Sequence, residues 1–458
     1  MAVVDYIQQL VDKAREAQTI FAGYSQKEVD AAVRAVGKAV YDNGEALARL
    51  AIDETKMGEY EHKVLKNKGK AMTVWNHLKD KKSVGIIGYV EEKGIVEVAK
   101  PMGVVGAVMP VTNPNMTPMH NSMIALKGGN AIIVAPHPAG KQSGIETVKV
   151  MRAALKAIGA PEDLIQCVDV EYADAIAASG ALMSLSDVCV ATGGPGMVKA
   201  AYSAGKPAYG VGMGNMQCIL DVDADIKDAV PKIIKGRTFD NGVLCTCEQT
   251  IICHESKFDE IIEEFEKNGA YYFRDKKDVD TLRDAVLPEG QLNKKAVGLS
   301  AMALADLAGL KAPDGTVVLI AKSEGSGKKD PYSKEKLFPV LAAYTYKTWA
   351  EAVAIAVDNL ELEGKGHSSV IHSFTKENIE YAGVKLPVSR LLVNGIGSLG
   401  VGGAYTNGFA PTGTLGCGSW GNNSISENLD YKHLINISRI GYTNPNARIP
   451  TPDEIWGE

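Results

Sequence analysis

Residues 188–203 read VCVATGGPGMVKAAYS, where an apolar run meets a glycine-rich turn and then a helical pattern. A strand that enters a helix through glycines is typical of α/β proteins, and the free N–H groups at such a helix start can bind phosphate. The stretch does not complete a G-x-G-x-x-G sequence, and turns of this kind occur throughout α/β folds. By itself it predicts the fold class and leaves nucleotide binding open.

The same alternation of strands and helices extends to both sides of this stretch. Within 101–222 the further candidate strands are GVVGAVMP, NAIIVAPHP, LIQCVDV and GMGNMQCILDV, and ETVKVMRAALKAIG is a helix between them. The alternation resumes after 225, with KFDEIIEEFEKNGA as a helix and TVVLIAK and LLVNGIG as strands. This order predicts parallel sheets covered by helices on both faces.

Three segments depart from the alternation. The first eighty residues have helical spacing, and Ser25 with Glu28 predicts a capping box at one helix start. VGIIGYV and GIVEVAKP, joined by EEK, predict an apolar hairpin over 84–100 that needs a partner surface. The glycine-rich stretch 395–424 predicts long ordered loops, which often carry binding sites. A chain of 458 residues therefore fits two α/β domains and a β-rich arm.

Composition excludes several function classes. The chain is 45% hydrophobic with a formal net charge of -6, so nothing in it favours nucleic acid or an anionic membrane, and we expect neither as a partner. Its seven scattered cysteines favour a reducing compartment over a disulfide framework. No apolar run approaches the roughly 20 residues that span a bilayer. We expect a cytoplasmic protein.

The stretch NGVLCTCEQT, residues 241–250, is the first candidate for chemistry. A cysteine reacts as its thiolate, and a glycine-containing loop that enters a helix would supply backbone donors to that anion, which favours Cys245 as a nucleophile. A metal site would need more ligands than Cys253 and His254 add, and a redox pair usually needs C-x-x-C. We therefore expect no metal, and we interpret Cys247 as a small buried or semi-buried residue, with a reversible redox lock on Cys245 as the alternative.

The second candidate is the polar segment VTNPNMTPMH, residues 111–120. Asn113 precedes a proline and is held out of a helix, so its side-chain amide could point into a cleft as an oxyanion donor. On the residues alone, a simple turn is the favoured interpretation of this segment.

Taken in order, six segments resemble the CoA-acylating branch of the aldehyde dehydrogenase superfamily, nearly from end to end. They are TNP at 112–114, APHP at 135–138, ATGGPGMVKAAYSAGKPAYGVGMGN at 191–215, FDNGVLCTCEQT at 239–250, KEKLFPV at 334–340 and TLGCGSWGNNSISENLDYKHLINISRI at 414–440. The chain is most similar to the CoA-dependent succinate semialdehyde dehydrogenases, and next to the aldehyde half of the bifunctional aldehyde-alcohol dehydrogenases.

The resemblance implies an aldehyde dehydrogenase-like α/β fold with three parts. A Rossmann-type cofactor-binding domain is expected at 1–83 and 101–224, and an α/β catalytic domain at 225–420. The β-hairpin oligomerisation arm at 84–100, with a C-terminal segment at 421–458, implies a homodimer or homotetramer. The chain starts directly in its first helix, without the targeting peptide of microcompartment members, which favours a free cytoplasmic enzyme.

The resemblance also assigns roles to individual residues. Cys245 matches the nucleophile that forms a thiohemiacetal with the aldehyde and, after hydride transfer to nicotinamide, a thioester. Asn113 matches the amide that stabilises the oxyanion together with the backbone N–H of Cys245. Glu335 matches the carboxylate that holds the nicotinamide ribose. The other positions expected at the cofactor are Thr192, Gly193, Gly194, Gly196, Pro136, His137, Pro138 and Gly212.

One position departs from the hydrolytic members of the superfamily, which carry a general-base glutamate where this chain has Gly210. Without that base, water is not activated against the thioester, so the resemblance implies release to the thiol of CoA. The small residue is also expected to leave room for CoA. The predicted function is reversible oxidation of a short-chain aldehyde with CoA to acyl-CoA; a hydrolytic aldehyde dehydrogenase and a non-catalytic nucleotide-binding protein are the alternatives.

Cofactor and aldehyde stay open at this level. Pro138 stands where hydrolytic members place an acidic residue against the adenosine ribose, so both NAD and NADP are expected to fit. The resemblance favours a semialdehyde with an anionic tail, such as succinate semialdehyde or sulfoacetaldehyde, with His120, His367 and Arg390 as donors or charges. Acetaldehyde and propionaldehyde are the alternative substrates.

Overall fold

A computed structural model describes residues 3–457, apart from the side chains at positions 172 and 195. The α-helices are Val3–Phe21 (α1), Gln26–Asp42 (α2), Gly44–Thr55 (α3), Tyr60–Leu78 (α4), Met116–Lys127 (α5), Lys141–Ala157 (α6), Ala175–Leu185 (α7), Pro195–Ser203 (α8), Ile226–Thr238 (α9), Phe258–Lys267 (α10), Lys276–Val286 (α11), Ala301–Ala308 (α12), Trp349–Leu362 (α13), Lys376–Lys385 (α14), Gly397–Gly400 (α15) and Pro452–Trp456 (α16). The strands are Gly85–Val90 (β1), Ile95–Pro101 (β2), Val104–Val108 (β3), Ala131–Ala135 (β4), Ile165–Cys167 (β5), Val188–Thr192 (β6), Ala208–Val211 (β7), Gln217–Leu220 (β8), Thr250–His254 (β9), Ala270–Phe273 (β10), Val318–Lys322 (β11), Val340–Tyr346 (β12), Gly366–His372 (β13), Val388–Val393 (β14) and Ile435–Gly441 (β15).

The first sheet has five parallel strands in the order β5-β4-β3-β6-β7. Every residue of β3 and β4 is buried, because helices cover both faces of the sheet, and this explains the continuous apolar runs in the sequence. The chain leaves β3 toward β4 on one side and reaches β6 on the other. The carboxyl ends of β3 and β6 therefore flank the crevice where open α/β sheets bind ligands.

The N-terminal helices share the core of this sheet. Buried residues of α1, α2 and α4 pack in one apolar cluster with those of β3, β4 and β6. The predicted capping box is present at α2, where Ser25 and Glu28 each accept from the other's backbone N–H. α4 continues along the crevice, so its polar face lies beside the loop that follows β3.

The second sheet has seven parallel strands in the order β10-β11-β12-β9-β8-β13-β14. The strand Gln217–Leu220, which the predicted division at 224 put with the cofactor-binding domain, lies in this sheet between β9 and β13. Its side chains Cys218, Ile219 and Leu220 belong to the apolar clusters of the second domain. The structural division thus falls before β8, because sheet pairing decides which core a strand joins.

The hairpin predicted at 84–100 is present as β1 and β2, which pair antiparallel. A third strand, β15, pairs with β2 and makes a three-stranded sheet in the order β1-β2-β15. Exposed apolar side chains lie on the outer strands of this arm, among them Ile86, Tyr89 and Ile440. In the part of the chain the structure describes, no helix is both long and apolar enough to cross a membrane.

Candidate active site

The loops that carry the predicted chemistry meet where the two domains face each other. Asn113 follows β3 and Gly193 follows β6, at the carboxyl ends of neighbouring strands of the first sheet. Gly214 and Cys245 precede β8 and β9, which are neighbours in the second sheet. The sheet order therefore brings together four segments that are far apart in the sequence.

Cys245 lies in a turn between a 3₁₀ segment, Phe239–Gly242, and β9. The sequence suggested a loop that enters a helix; instead the turn follows α9 and enters a strand. The turn is closed by the N–H of Cys247, which donates to the carbonyl of Leu244 at 3.1 Å. The local geometry is thus set by a turn bond and by what packs against it.

Gly214 packs directly against the backbone of Cys245. A Cβ at Gly214 would overlap the carbonyl oxygen of Cys245 and lie 2.8 Å from its Cβ, so only glycine fits there. The N–H of Gly214 donates to Oε1 of Glu335 at 3.0 Å. One glycine therefore sets the distance between the predicted nucleophile and the predicted ribose-binding carboxylate.

Burial controls the charge of Cys245. It raises the pKa of the half-buried thiol well above its usual range; Glu335 and Cys417 add to the rise, and Arg390 opposes it. The sulfur is accordingly a thiol near neutral pH. Cys247 is fully buried, with its sulfur against the carbonyl of Phe239, as expected for a small core residue.

Glu335 is buried beside a second carboxylate. Burial raises the pKa of Glu335 to about 8, and the charge of Glu363 adds to the rise. Oε2 of Glu363 accepts from the N–H of Glu335 at 2.7 Å, which ties the two residues together. Glu335 therefore titrates near neutral pH.

A cavity of about 760 Å³ opens beside this group. Its wall includes Gly212 and Met213, which lead to Gly214, and across from them Glu363 and Cys417. A Cβ at Gly212 would meet no atom within 4 Å, so this glycine faces open space. Other lining residues are Val198, Lys199, Tyr202, Gly364, Lys365 and Trp420.

The glycine turn after β6 lies close by. A Cβ at Gly194 or Gly196 would meet no atom within 4 Å, so the start of α8 presents bare backbone. Gly193 is held by its N–H, which donates to the carbonyl of Val211 at 3.4 Å. Thr192 does not face this opening freely, because its hydroxyl lies 3.3 Å from that of Thr414.

The APHP segment lines a separate cavity of about 150 Å³, together with Lys141 and Val168. Pro136 and Pro138 form one wall of this slot. His137 serves locally: its Nδ1 accepts from the N–H of Ala139 at 3.1 Å. Pro136 and Pro138 therefore line the same cavity, whereas the side chain of His137 caps the local backbone.

The two histidines predicted near the substrate are fully buried and neutral. Burial lowers the pKa of His120 to about 4 and that of His367 to about 3, so neither carries charge near neutral pH. Nδ1 of His120 lies 3.0 Å from Oδ1 of Asn121, and Nδ1 of His367 lies 2.7 Å from Oγ of Ser368. The Nε2 atom of each is unpartnered. Of the two roles predicted for these residues, burial disfavours a positive charge and leaves each histidine a ring nitrogen for hydrogen bonding.

Arg390 is buried and largely engaged. Its Nη2 donates to the carbonyls of His367 at 2.8 Å and Gly416 at 2.7 Å, and its Nη1 to Oδ1 of Asn428 at 3.2 Å. Only its Nε has no partner. Arg390 thus joins the His367 strand to the loop that carries Cys417, and places a positive charge behind the cavity.

Helix α4 supplies cations that the sequence interpretation missed. Lys63, Lys66 and Lys70 follow a three-to-four residue spacing, so they share the face that lies along the crevice. Nζ of Lys66 donates to Oδ1 of Asn113 at 2.7 Å, and Nζ of Lys70 to the carbonyl of Gly402 at 2.9 Å. The lysine spacing was visible in the sequence as HKVLKNKGK, but the residues that these lysines bind lie in loops far away along the chain. Among residues 3–457, no group of three or more histidine, cysteine or acidic side chains is arranged to hold a metal ion.

Comparison with known proteins identifies the family. The chain matches the aldehyde dehydrogenase family over residues 2–433. It is 52% identical over 451 residues to the succinate-semialdehyde dehydrogenase (acetylating) of Clostridium kluyveri, covering 98% of this chain and 99% of that protein. It is 41% identical to the sulfoacetaldehyde dehydrogenase of an Acholeplasma species, covering 98% and 93% of the two chains.

Solved structures give the same result. An acetylating aldehyde dehydrogenase from Geobacillus thermoglucosidasius superposes with a TM-score of 0.93 at 37% identity, covering 98% of each chain. A propionaldehyde dehydrogenase from Rhodopseudomonas palustris, solved with bound propionyl-CoA, superposes with a TM-score of 0.84 at 27% identity, covering 95% of this chain and 94% of that one. The predicted aldehyde dehydrogenase-like α/β fold is confirmed. The chain belongs to the aldehyde dehydrogenase family and, within it, to the acylating group.

Proposed function

We propose that the protein reversibly oxidises a short-chain aldehyde with CoA and NAD or NADP, passing the acyl group through the sulfur of Cys245. The observation that carries this proposal is the cavity of about 760 Å³ whose wall leads through Gly212 and Met213 to Gly214, which packs on Cys245. Its volume is typical of a cofactor site. A buried carboxylate, Glu335, binds the same glycine.

The residues at the first sheet fit a dinucleotide. The bare backbone at Gly194 and Gly196 starts a nine-residue helix, a suitable place for phosphate. The cavity that Pro136 and Pro138 line would hold a flat base, and Glu335 would bind a ribose hydroxyl. When bound, the nicotinamide supplies the acceptor for the hydride that leaves the aldehyde carbon.

Release of the acyl group to CoA is supported by what surrounds Gly210. Its N–H donates to the hydroxyl of Tyr202 at 2.9 Å, and a Cβ there would lie 2.7 Å from Cγ1 of Val198. The space beside Gly210 is filled rather than open, so the expected room for CoA is at Gly212 instead. Without a carboxylate at Gly210, water lacks a base there, and a thiol is the better nucleophile.

His367 is a poor base for the proton that CoA must lose, because burial and the charge of Arg390 lower the pKa of its ring to about 3. Its carbonyl is fixed by Arg390, which also binds the carbonyl of Gly416 next to Cys417 on the cavity wall. The charge of Arg390 would favour the thiolate that results.

For the aldehyde we propose a short chain with an anionic tail, as in succinate semialdehyde. Lys70 supports this choice, because its ammonium has one carbonyl as a hydrogen-bond partner and lies near His120. Burial lowers the pKa of Lys70 to about 8, so it stays mostly charged at neutral pH. Plain acetaldehyde is the alternative, since His120 and His367 add no charge.

We also propose that the arm docks on a second copy of the chain to form a homodimer or homotetramer. Ile86, Tyr89 and Ile440 are 48%, 66% and 47% exposed on its outer strands, a costly arrangement for a monomer. Light scattering on the intact protein should give two or four chains; a monomer with the arm intact would contradict the proposal.

The activity is tested by following NAD(P)H formation from succinate semialdehyde, sulfoacetaldehyde and acetaldehyde, each with and without CoA. Turnover should need CoA and yield one thioester per reduced cofactor. Equal rates without CoA, with free acid as the product, would identify a hydrolytic enzyme. No turnover with any aldehyde would leave a nucleotide-binding protein.

A further inference from the structure

A buried ion cluster joins helix α4 to the two loops that carry Asn113 and Cys245. Asp240, in the segment just before Cys245, is fully buried and accepts from the ammonium groups of Lys63 and Lys66 through Oδ2. Its Oδ1 accepts from the N–H of Glu59 at 2.8 Å. The cluster therefore fastens the Cys245 loop to the first turns of α4.

The backbone around Asp240 shows how tightly this joint is specified. Asp240 and Asn241 both have positive φ values, 53° and 51°, a left-handed conformation that aspartate and asparagine adopt more readily than other non-glycine residues. A Cβ at Gly58 would overlap the Asp240 carboxylate, and Gly58 itself has φ of 78°. The surrounding structure holds both residues in this left-handed conformation, and the carboxylate of Asp240 points at α4.

Lys66 has a second acceptor, and this one belongs to the proposed oxyanion site. Its Nζ donates to Oδ1 of Asn113 at 2.7 Å, while the carbonyl of Thr112 lies 3.4 Å away. An ammonium only donates, so the atom of Asn113 that faces it must be the carbonyl oxygen. The amide NH₂ then points the other way, and its one bond is a long 3.4 Å contact to the hydroxyl of Thr112.

We infer that Lys66, held by Asp240, is a positioning residue that fixes the Asn113 amide with its NH₂ group turned toward the Cys245 side of the cleft. This inference rests on the proposed oxyanion role of Asn113. An asparagine side chain has two nearly isosteric orientations, and only one presents donors to a developing oxyanion. The ammonium selects that orientation and, by polarising the carbonyl, strengthens the N–H donors.

The same ion pair sets the relative position of the two halves of the site. Lys66 contacts Asn113 on the first domain and Asp240 on the second. Asn113 and Cys245 therefore share one rigid link across the interdomain crevice, in addition to their own loops. Lys63 contacts Asp240 but has no bond to Asn113 among the contacts of the described residues.

The test compares Lys66→Met with Lys63→Met as a matched control, because both remove one ammonium from Asp240 and only the first removes the contact with Asn113. Losing an oxyanion donor costs about 10²–10³-fold in kcat, so Lys66→Met should lower kcat at least about 30-fold with little change in KM. Lys63→Met should keep kcat within about threefold and lower the melting temperature by a similar amount to Lys66→Met.

A double-mutant cycle distinguishes a role of Lys66 through the Asn113 amide from a merely structural role. If Lys66 acts through the amide, Lys66→Met should cost almost nothing further in an Asn113→Ala background. Additive losses, or equal losses in the two lysine variants, would overturn the inference while the wild-type activity still stands. If the wild type turns over no aldehyde, the proposed function fails, and a crystal structure of Lys66→Met still decides: an unchanged orientation of the Asn113 amide would overturn the inference.

Discussion

The two sides of the Cys245 turn differ in polarity and openness: one is glycine backbone beside a cavity, and the other is a buried ion pair. On the cavity side, Gly212 leaves bare backbone beside a space of about 760 Å³, and Gly214 packs against the backbone of Cys245. On the α4 side, Lys66 and Asp240 form a closed, fully hydrogen-bonded ion pair against Asn113. The open side suits large molecules that must exchange during a turnover, whereas the closed side holds the charges that stabilise a transition state in fixed positions.

The largest expected effect tests whether the sulfur of Cys245, which lies between the two sides, carries the acyl group. Cys245→Ala should lower turnover by at least about 10⁴-fold, because the acyl group has no other attachment point. Cys247→Ala should keep kcat within about threefold, since this side chain is sealed in the core. Steady-state kinetics and mass spectrometry of the acylated protein measure both; an active Cys245→Ala variant would refute the assignment.

An intermediate effect is expected at the far end of the α4 side. Lys70→Met should raise KM for succinate semialdehyde about tenfold or more, because a charge-assisted hydrogen bond is lost, and should leave acetaldehyde kinetics unchanged. Lys68→Met is the matched control: it lies on the same helix and pairs with Glu45 at the surface. Equal losses for both aldehydes would show that Lys70 only holds the Gly402 loop.

The smallest expected effect is on stability, and it concerns Glu248, a carboxyl group buried in the core rather than beside the cavity as Glu335 is. Burial raises the pKa of Glu248 to about 8 from its ordinary 4.5, and its Oε2 is unpartnered, while Oε1 accepts from the N–H of Gly397. Between these two pKa values the folded state binds more protons than the unfolded state, so Glu248 lowers stability progressively as pH rises from about 4.5 through 8.

Glu248→Gln removes that penalty. Its melting temperature relative to the wild type should increase as the pH is raised from 6.5 to 8, by about 1 °C for each kcal/mol. Differential scanning calorimetry at fixed ionic strength measures this trend, with Glu380→Gln, an exposed carboxyl group, as the control. A difference that does not change with pH would mean that Glu248 is ionised throughout the range.

Local patterns predicted much of this fold because they report on which faces are buried. The strand at 188–192, the hairpin at 84–100 and the capping box at Ser25 follow from apolar periodicity and short-range hydrogen bonding. The third strand of the arm, Ile435–Gly441, and the place of Gln217–Leu220 in the second sheet were missed. Both depend on pairing with strands remote in sequence, on which local periodicity carries no information.

The sequence by itself determined the family, the reactive cysteine as a candidate and the glycine positions, because each rests on residue identity in an ordered set of segments. Only the tertiary structure decided the charge states: burial makes His120 and His367 neutral and keeps Cys245 a thiol. It also decided which cations matter. Lys66 acquires its role from Asn113 and Asp240, which lie 47 and 174 residues away along the chain. Desolvation and long-range contacts are properties of the folded interior, so no stretch of sequence expresses them.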